Sequence, residues 1–235
     1  MRFLVTAGNT REKIDSVRQW SNIFTGNTGL SIAKALAEIG EVDLLTSNRQ
    51  HTTELSESQT TAHRITATGF TTHANLREIL AERMRSTSYD AVFMTAAVSD
   101  YRPVRVFAVT STESLGEGKE HWVVQDVQAG KVKSKHKLIA IVGEQTEKLV
   151  DLFRTEWGYK GLLVKFKLEV GISSEELIQT AQASRKSSGA EYMVANTLDM
   201  VEGPQAGAYL LSDHGSEWVP RGSLPQRLAQ LAGPQ

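Results

Sequence analysis

Residues 2–40 read as a strand, a loop and a helix, and the loop is far longer than the connection requires. The apolar run Phe3 to Val5, bounded by Gly8, has the pattern of a buried strand. Ile32, Ala33, Leu36 and Ile39 recur at helical spacing, and Gly40 marks the stop. Between them lie about twenty polar-rich residues where a plain α/β connection needs about two to six. A loop of that length at the carboxyl end of a first strand is expected to hold a ligand.

Strand-like and helix-like segments alternate along the rest of the chain. Glu41–Leu45 reads as a strand, Thr46–Thr61 as a polar stretch, and the surroundings of Ile65 as a short strand. Asn75–Arg85 is helical, and AVFMTAA (91–97) is a strand apolar enough for burial on both faces. From Asp100 to about Lys137 the periodicity dissolves, so an irregular flap is expected over about 102–137. A helix around Leu149, Phe153 and Trp157, a strand 161–166, a helix 174–186 and a strand 192–195 follow. AYLLS and EWVP around Asp213-His214-Gly215 read as a β-hairpin, and Leu224, Leu228 and Leu231 mark a last helix. The expectation is one domain over 1–235. Its fold class is α/β, a doubly wound, mostly parallel Rossmann-like sheet with a small C-terminal β-hairpin extension.

Bulk properties narrow the function. Net charge is −1 with 23% charged residues, so no basic excess argues for a nucleic-acid partner. With no cysteine, disulfides, thiolate catalysis and cysteine-ligated zinc are excluded. No apolar run approaches the roughly 20 residues of a membrane span. A strand starting at residue 2 leaves no signal peptide to expect, so a cytoplasmic protein is the expectation.

Four places carry possible chemistry. The long loop offers Gly8, Thr10, Arg11, Asp15, Arg18, Asn22 and Gly26-Asn27-Thr28-Gly29. Its glycine-rich end opens a helix, where backbone N–H groups and the helix dipole favour phosphate; an ordinary glycine-lined helix start has the same pattern. In TAAVSDYRPV (95–104), Ala96 and Ala97 would admit a flat base or a substrate close to the main chain. Asp100 there either caps a turn or holds Mg²⁺ beside phosphates. GKVKSKHK (130–137) is either a solvated loop or a set of lysines that folds over a polyphosphate. LLVKFKLE (162–169) ends with Lys165, Phe166 and Lys167, so Phe166 either stacks on a base or joins the core.

Taken in order, VTAGNTREKIDSVRQWSN, FTGNTG, AAVSDY, KVKS, VKFKLE and VANTLD resemble the motifs of the phosphopantothenoylcysteine synthetases, across nearly the whole chain. The resemblance implies a ligase of coenzyme A biosynthesis that joins 4′-phosphopantothenate to cysteine. A nucleoside triphosphate, CTP or ATP with CTP the expected one, is the co-substrate, and Mg²⁺ the metal. The substrate carboxylate takes the nucleotidyl group with release of pyrophosphate; the cysteine amine then displaces the monophosphate.

By the same resemblance Asn22 and Lys131 are the catalytic residues, Asn22 holding the acyl-nucleotide and Lys131 belonging to a loop that closes on it. Arg18, Asn22, Ala96 and Ala97 bind substrate. Gly8, Thr10, Gly26, Gly29, Asp100, Lys131, Phe166 and Lys186 surround the nucleotide, and Asp100 its metal. A homodimer with shared sites is implied, without nucleic acid or membrane. Asn27 where many relatives carry lysine, the shortened KVKS and Thr197 depart from the family pattern. Together with FKLE they point to the short monofunctional forms, without the flavin-dependent domain of fused ones. Two rival classes are a non-catalytic nucleotide-binding relative and an NAD(P)-dependent oxidoreductase. The second requires a Tyr-x-x-x-Lys pair, which the chain lacks.

Overall fold

A computed structural model describes residues 1–57, 64–203 and 205–234. Its centre is β1 (Arg2–Ala7), whose residues from Phe3 onward are buried. Burial on both sides explains why an uninterrupted apolar run forms a strand here instead of an alternating one. β1 pairs in parallel with β4 (Glu41–Thr46) on one side and β6 (Ala91–Met94) on the other. β5 (Ile65–Gly69), β10 (Leu162–Glu169) and β11 (Tyr192–Thr197) extend the parallel sheet, giving the order β5-β4-β1-β6-β10-β11. The hairpin β12 (Gly207–Ser212) and β13 (Gly215–Pro220) adds antiparallel strands at the β11 edge. The mostly parallel Rossmann-like sheet with its C-terminal hairpin is therefore as expected.

Helices cover both faces. Phe3 and Val5 join a core layer with Leu30, Ile32 and Leu36 of α1 (Asn27–Ala37) and Leu224 and Leu228 of α6 (Leu224–Ala232). Leu4 faces the other way, towards Leu76 and Leu80 of α3 (His73–Ser86) and Leu149 and Phe153 of α4 (Leu149–Thr155). Leu177 and Ala181 of α5 (Ser174–Ser187) pack on Met193 and Leu211. Ends are set locally: Thr72 caps α3 by accepting from the Asn75 N–H at 3.2 Å, and Ser173 with Glu176 forms a capping box on α5. Among the described residues, no helix is long and apolar enough to cross a membrane.

Two expectations need correction. The polar stretch 46–61 contains α2 (Arg49–Glu57), a helix whose buried face is only His51 and Leu55, four residues apart. So narrow an apolar stripe gives almost no periodic signal; residues 58–61 of that stretch lie outside the described residues. The flap at 102–137 is not irregular for most of its length. Tyr101–Gly116 (β7), Lys119–Asp126 (β8) and Ile139–Gln145 (β9) form a separate antiparallel sheet in the order β8-β7-β9. All of β8 is exposed, so its sequence carries none of the alternation that a half-buried strand shows. Only about 127–138, where the lysines lie, stays without regular structure. Two further short strands, β2 (Arg11–Lys13) and β3 (Gln19–Ser21), form a hairpin inside the long first loop.

Phe93 lies at 0% exposure on β6 in the layer facing α1. Phe93→Ala is expected to lower unfolding stability by about 3–5 kcal/mol, read from urea denaturation.

Candidate active site

The parallel strands run in the classical doubly wound pattern 3-2-1-4-5-6, so the connections leave β1 and β6 towards opposite faces. Their carboxyl ends part there and open a cavity of about 560 Å³. Its walls are the end of β1, the start of α1, the turn after β6, the β9–α4 connection and the ends of β10 and β11.

Backbone approach is very close on the β1 side. Gly26 caps α1 with φ +84, and a Cβ there would lie 2.0 Å from the Gly8 nitrogen. Gly8 itself has φ +88, with its missing Cβ 2.2 Å from Ser47 Oγ. Both positions need glycine for conformation and for space. The start of α1 has no side-chain cap and Gly26–Gly29 line the cavity, so the first N–H groups of the helix lack a built-in side-chain acceptor there.

Asn22 lines this wall and donates from Nδ2 to the Ala97 carbonyl at 3.2 Å. Asn9 fixes the segment behind it, donating from Nδ2 to the carbonyls of Asn22 and Phe24, both at 2.8 Å. The cavity brings together Gly8, Asn22, Gly26, Gly29, Ala96, Ala97, Asp100 and Phe166 from the expected set. Thr10 is fully buried beside them and accepts from the Ser99 N–H at 2.8 Å, holding the turn that carries Asp100.

Three expected cations lie elsewhere. Lys186 is exposed on the last turn of α5, and Lys131 is exposed on the 130s loop. Arg18 is bound to Asp15, donating from Nε at 3.0 Å and from a terminal nitrogen at 2.5 Å, and also to the Val132 carbonyl at 2.6 Å. Asp15 accepts as well from the N–H groups of Val17, Arg18 and Val132, at 2.9, 2.8 and 3.1 Å. Arg18 and these backbone donors hold the Asp15 carboxyl well below the usual carboxylate range. The result is a latch that ties the lysine loop at Val132, which is 3% exposed, to the turn 15–18.

The cations that do line the cavity are Lys148, Lys165, Lys167 and Arg221. Lys165 is buried on β10 and donates to the Ser184 carbonyl at 3.2 Å, Ser184 Oγ at 3.1 Å and Ser188 Oγ at 2.6 Å. Ser188 donates in turn to Asp151 at 2.6 Å, and burial pushes the Lys165 ammonium down from its ordinary value. Strand parity could have indicated Lys165, since it alternates with Phe166 and must face α5. Nothing local indicated Asn9, whose role depends on the return of the chain at Asn22. Asp100 is the cavity-lining aspartate, and among the described residues no group of three His, Cys, Asp or Glu could hold a metal alone. A single carboxylate such as Asp100 could hold a cation only with further oxygen ligands from outside the protein.

The latch makes a pH prediction. The Asp15 pKa is lowered on folding, so its contribution to stability is fully present above the unfolded value of about 4 and is lost progressively as pH falls from there through the lower folded value. Asp15→Asn removes the carboxylate at every pH. Limited trypsinolysis at pH 7 should then cut after Lys131 and Lys133 several-fold faster than in the wild type.

Residues 1–112 match the family described as the DNA/pantothenate metabolism flavoprotein C-terminal domain. The coenzyme A biosynthesis bifunctional protein CoaBC of Thermococcus kodakarensis is 30% identical over 197 residues, covering 84% of this chain and 41% of that protein. Its counterpart in Mycolicibacterium smegmatis is 27% identical over 231 residues, 92% of this chain and 48% of that protein. The chain thus spans less than half the length of these curated relatives. A solved DNA/pantothenate metabolism flavoprotein from Streptococcus pneumoniae superposes with a TM-score of 0.77 at 28% identity, over 98% of this chain and 96% of that one. A Cab2 mutant in complex with phosphopantothenate-cysteine shares the fold, with a TM-score of 0.68 at 15% identity over 98% and 84% of the two chains. Residues 1–112 thus match that family's model over just under half of the chain, and the whole chain has the fold of the solved flavoprotein from Streptococcus pneumoniae.

Proposed function

We propose that this chain is a phosphopantothenate–cysteine ligase of coenzyme A biosynthesis, using CTP or ATP, with CTP as the favoured nucleotide. The observation that carries the reading is the cavity between the ends of β1 and β6, with an uncapped helix start and the Asn22 amide on one wall. The family match over residues 1–112 and the similarity to the CoaBC proteins support the pathway.

In this reading a carboxylate oxygen of 4′-phosphopantothenate attacks the α-phosphorus, and the bond to the pyrophosphate leaving group breaks. The cysteine amine then attacks the acyl carbon, loses a proton and releases the nucleoside monophosphate as the amide forms. No protein nucleophile is required; orientation and charge neutralisation are.

The N–H groups at Gly26–Gly29 receive phosphate. Ala96 and Ala97 leave room for the substrate along the main chain, and Phe166 flanks the base. Asn22 holds the acyl-nucleotide: one N–H of its amide is on Ala97, which leaves the second for an acyl oxygen. Asp100 would hold Mg²⁺, which when bound neutralises phosphate charge. Arg18, Lys131 and Lys186 stand outside the cavity and act on the anionic groups that project from it. Lys131 reaches them by movement of its loop.

The reading includes a homodimer, supported by the exposed apolar positions Leu115, Trp122, Val123 and Val124 on the β7–β8 ribbon. Sedimentation equilibrium at the mass of one 25.9 kDa chain would remove the dimer from it.

The decisive assay follows pyrophosphate from CTP or from ATP, with 4′-phosphopantothenate present or omitted and cysteine added last. Release that requires phosphopantothenate, followed by cysteine-dependent monophosphate, is the expected result. Nucleotide binding without pyrophosphate in any combination assigns the chain to the non-catalytic class. Asn22→Asp should still release pyrophosphate but accumulate the acyl-nucleotide after cysteine is supplied; normal product formation would take Asn22 out of the catalytic set.

A further inference from the structure

Behind the α1 start, on the side away from the cavity, lies a buried polar cluster that the mechanism above does not use. His51 of α2 is 1% exposed, an unusual place for a titratable ring. Its Nδ1 lies 2.8 Å from Thr46 Oγ1, and its Nε2 lies 3.2 Å from Asn27 Oδ1, the side chain of the first residue of α1.

Asn48, beside it, donates from Nδ2 to the Thr25 carbonyl at 3.0 Å, with the same nitrogen 3.2 Å from His51 Nε2, and its own N–H donates to Thr46 Oγ1 at 3.2 Å. Ser47 accepts the Asn9 N–H at 2.8 Å and abuts Gly8. The β4–α2 corner therefore grips both glycine turns of the site from behind.

Burial pushes the His51 imidazole below its ordinary pKa, with Glu54 on its own helix opposing the shift and Lys34 on α1 adding to it. A neutral ring satisfies its contacts with Asn27 and Thr46 in the tautomer whose Nε2–H donates to Asn27 and whose Nδ1 accepts the Thr46 hydroxyl proton. In that tautomer His51 connects β4 to the first residue of α1, and the turn between them has no other side-chain cap.

We propose that His51 is a positioning residue that fixes the Gly26–Gly29 turn through its Nε2 contact with Asn27. The turn is then preorganised for a phosphate before one arrives. Without that contact, the Asn48 bond to Thr25 would be the side-chain link left from the β4–α2 corner to this turn. The consequence for ligand binding rests on the proposed nucleotide site; the consequence for the turn does not.

Two substitutions separate the ring nitrogens. His51→Gln carries an amide to about the position of Nε2, whereas His51→Asn reaches only as far as Nδ1. The ligand-free readout is exchange of the Leu30 amide, which bonds the Gly26 carbonyl at 3.1 Å, measured by NMR beside the Leu210 amide of β12. Loss of one buried hydrogen bond, about 1 kcal/mol, corresponds to exchange of Leu30 about five- to tenfold faster. That acceleration is expected in His51→Asn with Leu210 unchanged, and His51→Gln should stay near the wild type. Equal Leu30 exchange in all three proteins overturns the proposal, as does acceleration of Leu30 and Leu210 alike, which would make His51 a general packing residue.

Calorimetric titration with CTP and with ATP forms the second arm. Weaker binding in His51→Asn, restored in His51→Gln, extends the role to phosphate. If the wild type binds neither nucleotide while the exchange contrast holds, the proposed function fails and the positioning role stands.

Discussion

β1 is the constraint on which the site depends. Its buried apolar residues can be covered only by strands on both edges and helices on both faces. Once the chain departs towards opposite faces from β1 and from β6, the carboxyl ends of these strands cannot be sealed by the same layer. The cavity is thus a product of the core, and the polar loop after β1 occupies the one edge that the core leaves open. Gly8 and Gly26 allow that loop to return within contact distance of the strand that launched it.

Charge is distributed with an asymmetry. Fixed cations sit on the β10 side of the cavity, where Lys165 is locked by Ser184 and Ser188. The opposite wall, at α1, presents peptide N–H groups and side-chain amides instead. An anion spanning the cavity would meet localised charge at one end and oriented dipoles at the other. Dipoles held by a rigid backbone need no reorganisation as charge develops beside them.

Much of this was legible in the residues. The strands of the parallel sheet are marked by runs such as AVFM and LLV, and the cavity wall by glycine and alanine at strand ends, because burial on two faces leaves a local imprint. What escaped has a common cause. The α2 helix buries only His51 and Leu55, and β8 buries nothing, so neither leaves a period to detect. Asn9 and His51 act through partners that are distant in sequence. Arg18 was legible as a functional-looking arginine, but its tie to the Val132 carbonyl is a contact across 114 residues, beside the local pair with Asp15. Ordered motifs carry the resemblance because they preserve the site's chain order; they do not show which groups are already engaged.

The burial of Val132 bears on the timing of events at this site. Adjacent Cα atoms are about 3.8 Å apart, so Lys131 cannot travel far while its neighbour is docked. Undocking Val132 exposes an apolar side chain, at about 1.5–3 kcal/mol before the latch bonds are counted. At about 1.4 kcal/mol per factor of ten, the released loop is a minority conformer by at least one order of magnitude. Under the proposed function, approach of Lys131 would be a discrete opening event and not a continuous drift. A ligand that recruits Lys131 does so by shifting a two-state population, so part of its binding energy is spent on releasing the loop.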